Sequence, residues 1–163
     1  RHSYYGDTAY ESYPVIYVDW NQAKSYCAWA GGELPTEAQW EYAARGGFEG
    51  MPYPWGDASP TCDLANFSTS CAGDTSKVGS YPPNYYGMYD MVGNVNEWVA
   101  DWFGPYDTSS ANNPAGLDSG DYRVLRGGSW RTSYGPAMRV SFRYGYFPGR
   151  TDSDLGFRCA RSP

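Results

Sequence analysis

The run "YPVIYVDWNQAKSYCAWAGG", residues 13–32, changes its period partway. Its first residues are apolar and β-branched, which predicts a short strand. From Asp19 onward, Ala23, Tyr26, Cys27 and Ala30 recur at helical spacing. Asp19 stands where an N-cap belongs, Gln22 completes a capping box, and Gly31-Gly32 supplies the stop. "LPTEAQWEYAARGG" (34–47) repeats that grammar: Thr36 caps, Gln39 answers and Gly46-Gly47 ends the helix. No long helical pattern follows. Gly, Pro, Asn and Asp cut the remainder into short segments, of which "YRVLRGGSW" (122–130), "MRVSFRYGY" (138–146) and "LGFRCAR" (155–161) predict strands. The pattern as a whole predicts an α+β domain: two helices against a small, irregular, mostly antiparallel sheet, with much ordered loop. So loop-rich a fold needs clamps, and disulfides or a metal would serve.

One apolar run carries an anomaly. In "MVGNVNEWVADW" (91–102), Glu97 is the only charged residue among the first seven. A carboxylate drawn into a fold needs a partner, because an unpaired buried charge is too costly to keep.

Composition narrows the function classes. The chain has 163 residues, which suits one domain, and no internal repeat or linker divides it, so 1–163 reads as a single unit. Twelve Lys and Arg against eighteen Asp and Glu give a net charge of −6, which argues against a non-specific nucleic-acid or anionic-membrane binder. No apolar run approaches the length of a membrane span. The start at Arg1 reads as a processed chain or a fragment. Seventeen Tyr and seven Trp supply rigid contact surface. The four cysteines, Cys27, Cys62, Cys71 and Cys159, form no CxxC, and His2 is the only histidine, so a zinc site is not indicated. Cys62 and Cys71 flank the turn-rich "CDLANFSTSC"; a local bridge there would leave Cys27 to pair with Cys159. Two bridges would imply an oxidising compartment, whereas four reduced, buried thiols would imply a cytosolic one.

Five motifs occur in one order: "LPTEAQWEYAARGG", "YPWGD", "GMYDMVGNVNEWVADW", "RVLRGGSW" and "LGFRCAR". Together they resemble the formylglycine-generating enzyme, or sulfatase-modifying-factor, family over residues 14–161. The resemblance implies a C-type-lectin-like fold. It implies a calcium ion held by the Asp90 and Glu97 side chains and the Gly93 and Val95 carbonyls, a ligand mix that suits calcium. A second, weaker calcium position begins at Asn66-Phe67 and extends to Asp74. The resemblance also pairs Cys27 with Cys159. The family domain begins with a strand segment absent here, which implies a piece cleaved, disordered or supplied by a second chain.

The chain departs from the family oxidases where their chemistry lies. Those enzymes hold copper through two thiolates just after the "GGS" turn, and from Ser129 to Arg158 this chain has no cysteine. No copper is expected. There is no Ser/His/Asp set and no P-loop, and Asp152 and Asp154 sit in polar loop sequence and read as solvated. What remains is segment 130–154, where Trp130, Arg131, Tyr134, Phe142, Tyr144, Tyr146, Phe147 and Arg150 stand among Ser, Gly, Thr and Asp. That is paratope-like chemistry, rigid amphipathic anchors among small polar residues; the alternative is that these aromatics pack the fold. In the family this stretch lines a peptide groove. The same fold carries binding proteins varied by retroelements at this C-terminal place, where Asn codons mutated at adenines yield such residues; no Asn follows Asn113 here. The reading is an extracellular or cell-surface domain (or a periplasmic one), calcium-stabilised and non-catalytic, binding a protein or glycan through 130–154. Its rivals are an oxidase using other residues and a structural subunit of a surface assembly.

Overall fold

The computed structural model describes residues 6–106 and 114–161. Its elements are α1 (Trp20–Trp29), α2 (Glu37–Arg45), β1 (Asn96–Trp102), β2 (Arg123–Arg126), β3 (Arg143–Tyr146) and β4 (Leu155–Phe157), with short 3-10 turns at Thr8–Tyr10 and Gly135–Met138. Both helices begin on complete capping boxes, Asp19 with Gln22 and Thr36 with Gln39. α2 ends on Gly46 in the left-handed conformation.

The strands form one four-stranded sheet in the order β3-β2-β1-β4. β1 pairs antiparallel with β2, and β2 with β3, but β4 runs parallel to β1. The sheet is therefore mixed rather than wholly antiparallel: β4 returns from a long loop instead of a hairpin. The apolar stretch at 13–18 is not a strand. Pro14 has no N–H to give a ladder, and Tyr17 takes a positive φ of 59°. That stretch still packs on the sheet, because Trp98 Nε1 donates to the Val18 carbonyl at 3.1 Å. Of "MRVSFRYGY" only the last four residues are strand, since Gly135–Met138 coils to bury Met138. On α1 the buried stripe is Trp20, Ala23 and Cys27, while Tyr26 and Ala30 lie outside it, exposed.

Alternation along the strands divides the core in two. Trp98, Leu125 and Leu155 face α1, where Trp20, Ala23, Cys27 and Leu34 meet them. Val99 and Val124 face α2 and pack with Trp40, Ala44, Met138 and Val140. Arg123 locks the first layer at its edge. Its guanidinium lies 3.6 Å from the Trp20 ring centre and 3.4 Å from that of Trp102, and burial lowers its pKa to about 10. Cys27–Cys159 joins α1 to the chain just after β4, and Cys62–Cys71 closes the predicted local loop.

The second layer is charged as well as apolar. Glu37 and Glu41, one turn apart on α2, reach over the sheet to the side chain of Arg126, which is wholly buried. Arg126 donates to the carbonyls of Phe142 (2.7 Å) and Val140 (2.8 Å) and to Glu41. Arg143 grips Glu37 with two hydrogen bonds of 2.6 and 2.8 Å.

Candidate functional site

Glu97 has found its partner. Arg158 donates to its two oxygens at 2.6 Å each, and Trp40 Nε1 donates to Oε2 at 2.6 Å. Glu97 therefore enters the core as half of an ion pair. Gly93 (φ 86°) and Asn94 (φ 64°) make the turn before it. A Cβ on Gly93 would sit 2.7 Å from the Asn66 carbonyl oxygen, so only glycine allows the two loops to meet there. They are joined by the Asn94 N–H donating to that same carbonyl at 2.8 Å.

The two candidate cation positions fit a metal differently. Asp90, Val95 and Glu97 line one cavity of about 480 Å³ together with Arg158. The Asp90 carboxyl accepts from the Gly79 N–H at 2.7 Å, and burial raises its pKa, a cost that a cation would relieve. Glu97, however, is already neutralised by Arg158. At the second position Asn66 is 1 % exposed, its Nδ2 donates to the Asp74 carbonyl at 2.8 Å, and its buried Oδ1 accepts no hydrogen bond. An orphaned buried acceptor beside Phe67 and Asp74 is what an oxygen-coordinated cation would satisfy. The position that the sequence marks as the weaker is thus the better fit. Among the described residues no cluster of three or more His, Cys, Asp or Glu side chains is placed to hold a metal, so a cation here would need carbonyl or amide oxygens besides any carboxylate.

Segment 130–154 leaves β2 through Gly127 and Gly128, both left-handed, and is then pinned from several sides. Thr132 Oγ1 accepts from the Ser129 N–H (2.9 Å), the Trp130 N–H donates to the Asn94 carbonyl (2.9 Å), and the Trp130 indole donates to the Ser153 carbonyl (3.3 Å). The candidate binding residues divide in two. Arg131, Tyr134, Phe142, Phe147 and Arg150 are exposed. Trp130, Tyr144 and Tyr146 are half-buried, and Tyr144 and Tyr146 pack on the Trp98–Leu125 layer. They do not stand free as side chains that simply face out. Burial, and after it Asp154, pushes the Tyr144 phenol well above its ordinary pKa. Truncating Tyr144 to Ala should therefore cost about 2 kcal/mol, below a fully buried aromatic, while Tyr134→Ala should stay within about 0.5 kcal/mol. Urea unfolding of the two variants checks this; equal costs would contradict the division.

Asp152 and Asp154 are not merely solvated. Arg131 pairs with Asp152 at 3.1 Å. Asp154 Oδ2 accepts from Ser129 Oγ (2.7 Å) and from Asn96 Nδ2 (3.2 Å). Two adjoining cavities of about 350 and 180 Å³ open here, and Asn96, Arg131, Tyr144 and Asp154 line both. Sequence reasoning missed Asn96, Ser129 and Asp154 as parts of one site, since they come from three separate segments. A larger cavity, about 590 Å³, lies by α2, where Arg143 and Arg126 already engage Glu37 and Glu41.

Two helices on a small mixed sheet, tied by two disulfides and extensive loops, define a C-type-lectin-like domain of the sulfatase-modifying type. The model of the sulfatase-modifying factor enzyme 1-like domain matches residues 2–163, and the chain belongs to that family. It is 43 % identical to the formylglycine-generating enzyme of Streptomyces coelicolor, covering 94 % of this chain and 54 % of that protein. It is 44 % identical to the inactive C-alpha-formylglycine-generating enzyme 2 of Mus musculus, over 91 % of this chain and 49 % of that one, so the family includes members named as inactive. Among solved structures it is similar to Treponema denticola variable protein 1, with a TM-score of 0.83 at 29 % identity, covering all of this chain and 76 % of that one. The chain spans between a quarter and about half of the length of the curated relatives it matches.

Proposed function

We propose that this chain is a calcium-stabilised, non-catalytic domain that binds a protein or glycan partner through segment 130–154, outside the cytoplasm. One observation carries the non-catalytic reading. All four cysteines are tied up in disulfides, and Thr132 and Ala137 line the groove after the Gly-Gly-Ser turn, where no thiolate pair is available for copper. The exposed aromatics of the segment, Tyr134, Phe142 and Phe147, support recognition, as do the hydrogen-bonded groove that Phe142 lines and the likeness to a protein titled as variable. The disulfides favour an oxidising compartment, and no helix among the described residues is long and apolar enough to cross a membrane.

Oxygen consumption and copper content test the first half. Neither is expected with a cysteine-containing peptide and reductant, and copper-dependent oxygen uptake would restore the oxidase reading. Peptide and glycan arrays test the second half: binding is expected, and Tyr134→Ala with Phe147→Ala should abolish it without shifting the melting temperature. For calcium, chelation should lower the melting temperature, since a ligand at a hundred times its dissociation constant stabilises by about 2.7 kcal/mol. Asn66→Leu should remove the calcium response if the Asn66 position holds the ion. A melting curve indifferent to chelator, with no calcium by elemental analysis, would end that proposal.

A further inference from the structure

We propose that the two-lobed groove between Tyr144, Arg131 and Asp154 receives a basic side chain, lysine or arginine, of a protein ligand. The inference rests on segment 130–154 being the ligand face and adds what chemistry that face selects.

Two of the residues that line both lobes, Asn96 and Asp154, carry unpaired acceptor oxygens. Asn96 is 6 % exposed and lines both lobes. Its Nδ2 is committed to Asp154, which fixes the amide orientation, and no hydrogen bond among the described residues reaches its Oδ1. Asp154 Oδ2 takes the Ser129 hydroxyl and the Asn96 amide, and among the described residues nothing donates to Asp154 Oδ1. No Lys or Arg among the described residues forms an ion pair with Asp154. Arg131, the one cation lining both lobes, is drawn to Asp152 instead. Among the residues that line the two lobes, Asp152, Asp154 and Arg131 leave one negative charge in excess, on a chain whose net charge is −6; the guanidinium of Arg150 lies outside the lining, 5.8 Å from the Tyr146 ring centre. Two oxygens that can only accept, one of them on a carboxylate with no cation partner, call for a cation with several N–H donors.

The walls suit the stem of such a side chain. Phe142 and Tyr144 lie 6.2 Å apart, as do Tyr144 and Tyr146, and neither phenol makes a hydrogen bond among the described residues. Aromatic faces attract guanidinium and ammonium groups, and this protein already stacks Arg123 between Trp20 and Trp102. A neutral sugar hydroxyl would bring one donor per oxygen and would leave the charge of Asp154 unanswered.

The test is an array of random dodecapeptides with neutral and amino-sugar glycans on the same slide, probed with the whole chain. Bound peptides should be rich in Lys and Arg. Their binding should weaken about tenfold in Asp154→Asn, the loss expected for one charge-assisted hydrogen bond, and should fall with added salt. Asp121→Asn, an exposed carboxylate outside the groove, should change nothing. Because Asp154→Asn could loosen Ser129 and Asn96, Thr132→Asp is the second variant. It keeps an acceptor for the Ser129 N–H, adds a negative charge to the groove, and should tighten basic peptides. If the bound ligands are neutral, acidic or glycan, and Tyr134→Ala abolishes their binding, the basic-ligand proposal is overturned while the ligand face stands. If binding ignores every groove variant, or no ligand binds, both readings fall.

Discussion

Replacing Cys27 and Cys159 together with alanine is expected to lower stability by about 4–5 kcal/mol. The bridge closes a loop with a sequence separation of 132 residues, and in the chain-entropy model the cost of leaving so long a loop open in the unfolded ensemble is of this order. The native side of the balance agrees. Cys27 is wholly buried in the α1 layer, so the lost sulfur also leaves a small void. Cys62–Cys71, with a separation of 9, should be worth less, about 2.5–3 kcal/mol by the same reasoning. Urea denaturation of both double variants gives the two numbers, and non-reducing peptide mapping should recover the 27–159 cross-link. If the long bridge contributes no more than the short one, the unfolded chain is held compact by something else.

Arg126→Met is expected to cost about 3–5 kcal/mol, the range for removing one partner of a buried ion pair. Methionine keeps most of the aliphatic volume, so the loss reports the charge and its hydrogen bonds. Without the guanidinium the Phe142 and Val140 carbonyls lose their donor, and Glu41 is left with Arg45 alone. Glu37 retains Arg143. Arg45→Met, at the partly exposed end of the same helix, should cost less than about 1 kcal/mol. Equal effects would mean that the buried network is as weak as a surface pair.

The helices were legible residue by residue. Asp19 with Gln22 and Thr36 with Gln39 are local signals, complete within a few residues of chain, and their hydrogen bonds form where the sequence places them. The later strands were legible in type but not in length, because the coil at Gly135–Met138 depends on the pocket that buries Met138. The apolar run at 13–18 was misread, as it meets the sheet through the Val18 carbonyl without joining the ladder, and Val15 is exposed. In segment 130–154 the sequence marks the aromatic residues but not which of them are half-buried and which exposed. That division follows from the register of β3 on β2, with Tyr144 opposite Leu125.

The sequence by itself determined where the two helices start and stop, that four cysteines could clamp a loop-rich domain, and that no thiolate pair follows the Gly-Gly-Ser turn. Each of these is a matter of neighbours along the chain or of residues simply absent. Tertiary structure alone decided that Glu97 is held by Arg158, that Arg126 lies buried beneath Glu37 and Glu41, and that Asn96, Ser129 and Asp154 share one groove. Those partners are separated by 25 to 89 residues. A hydrogen bond needs its partners within about 3 Å, and salt screens exposed charges over about 10 Å, so groups remote in sequence acquire their meaning when the sheet brings them together.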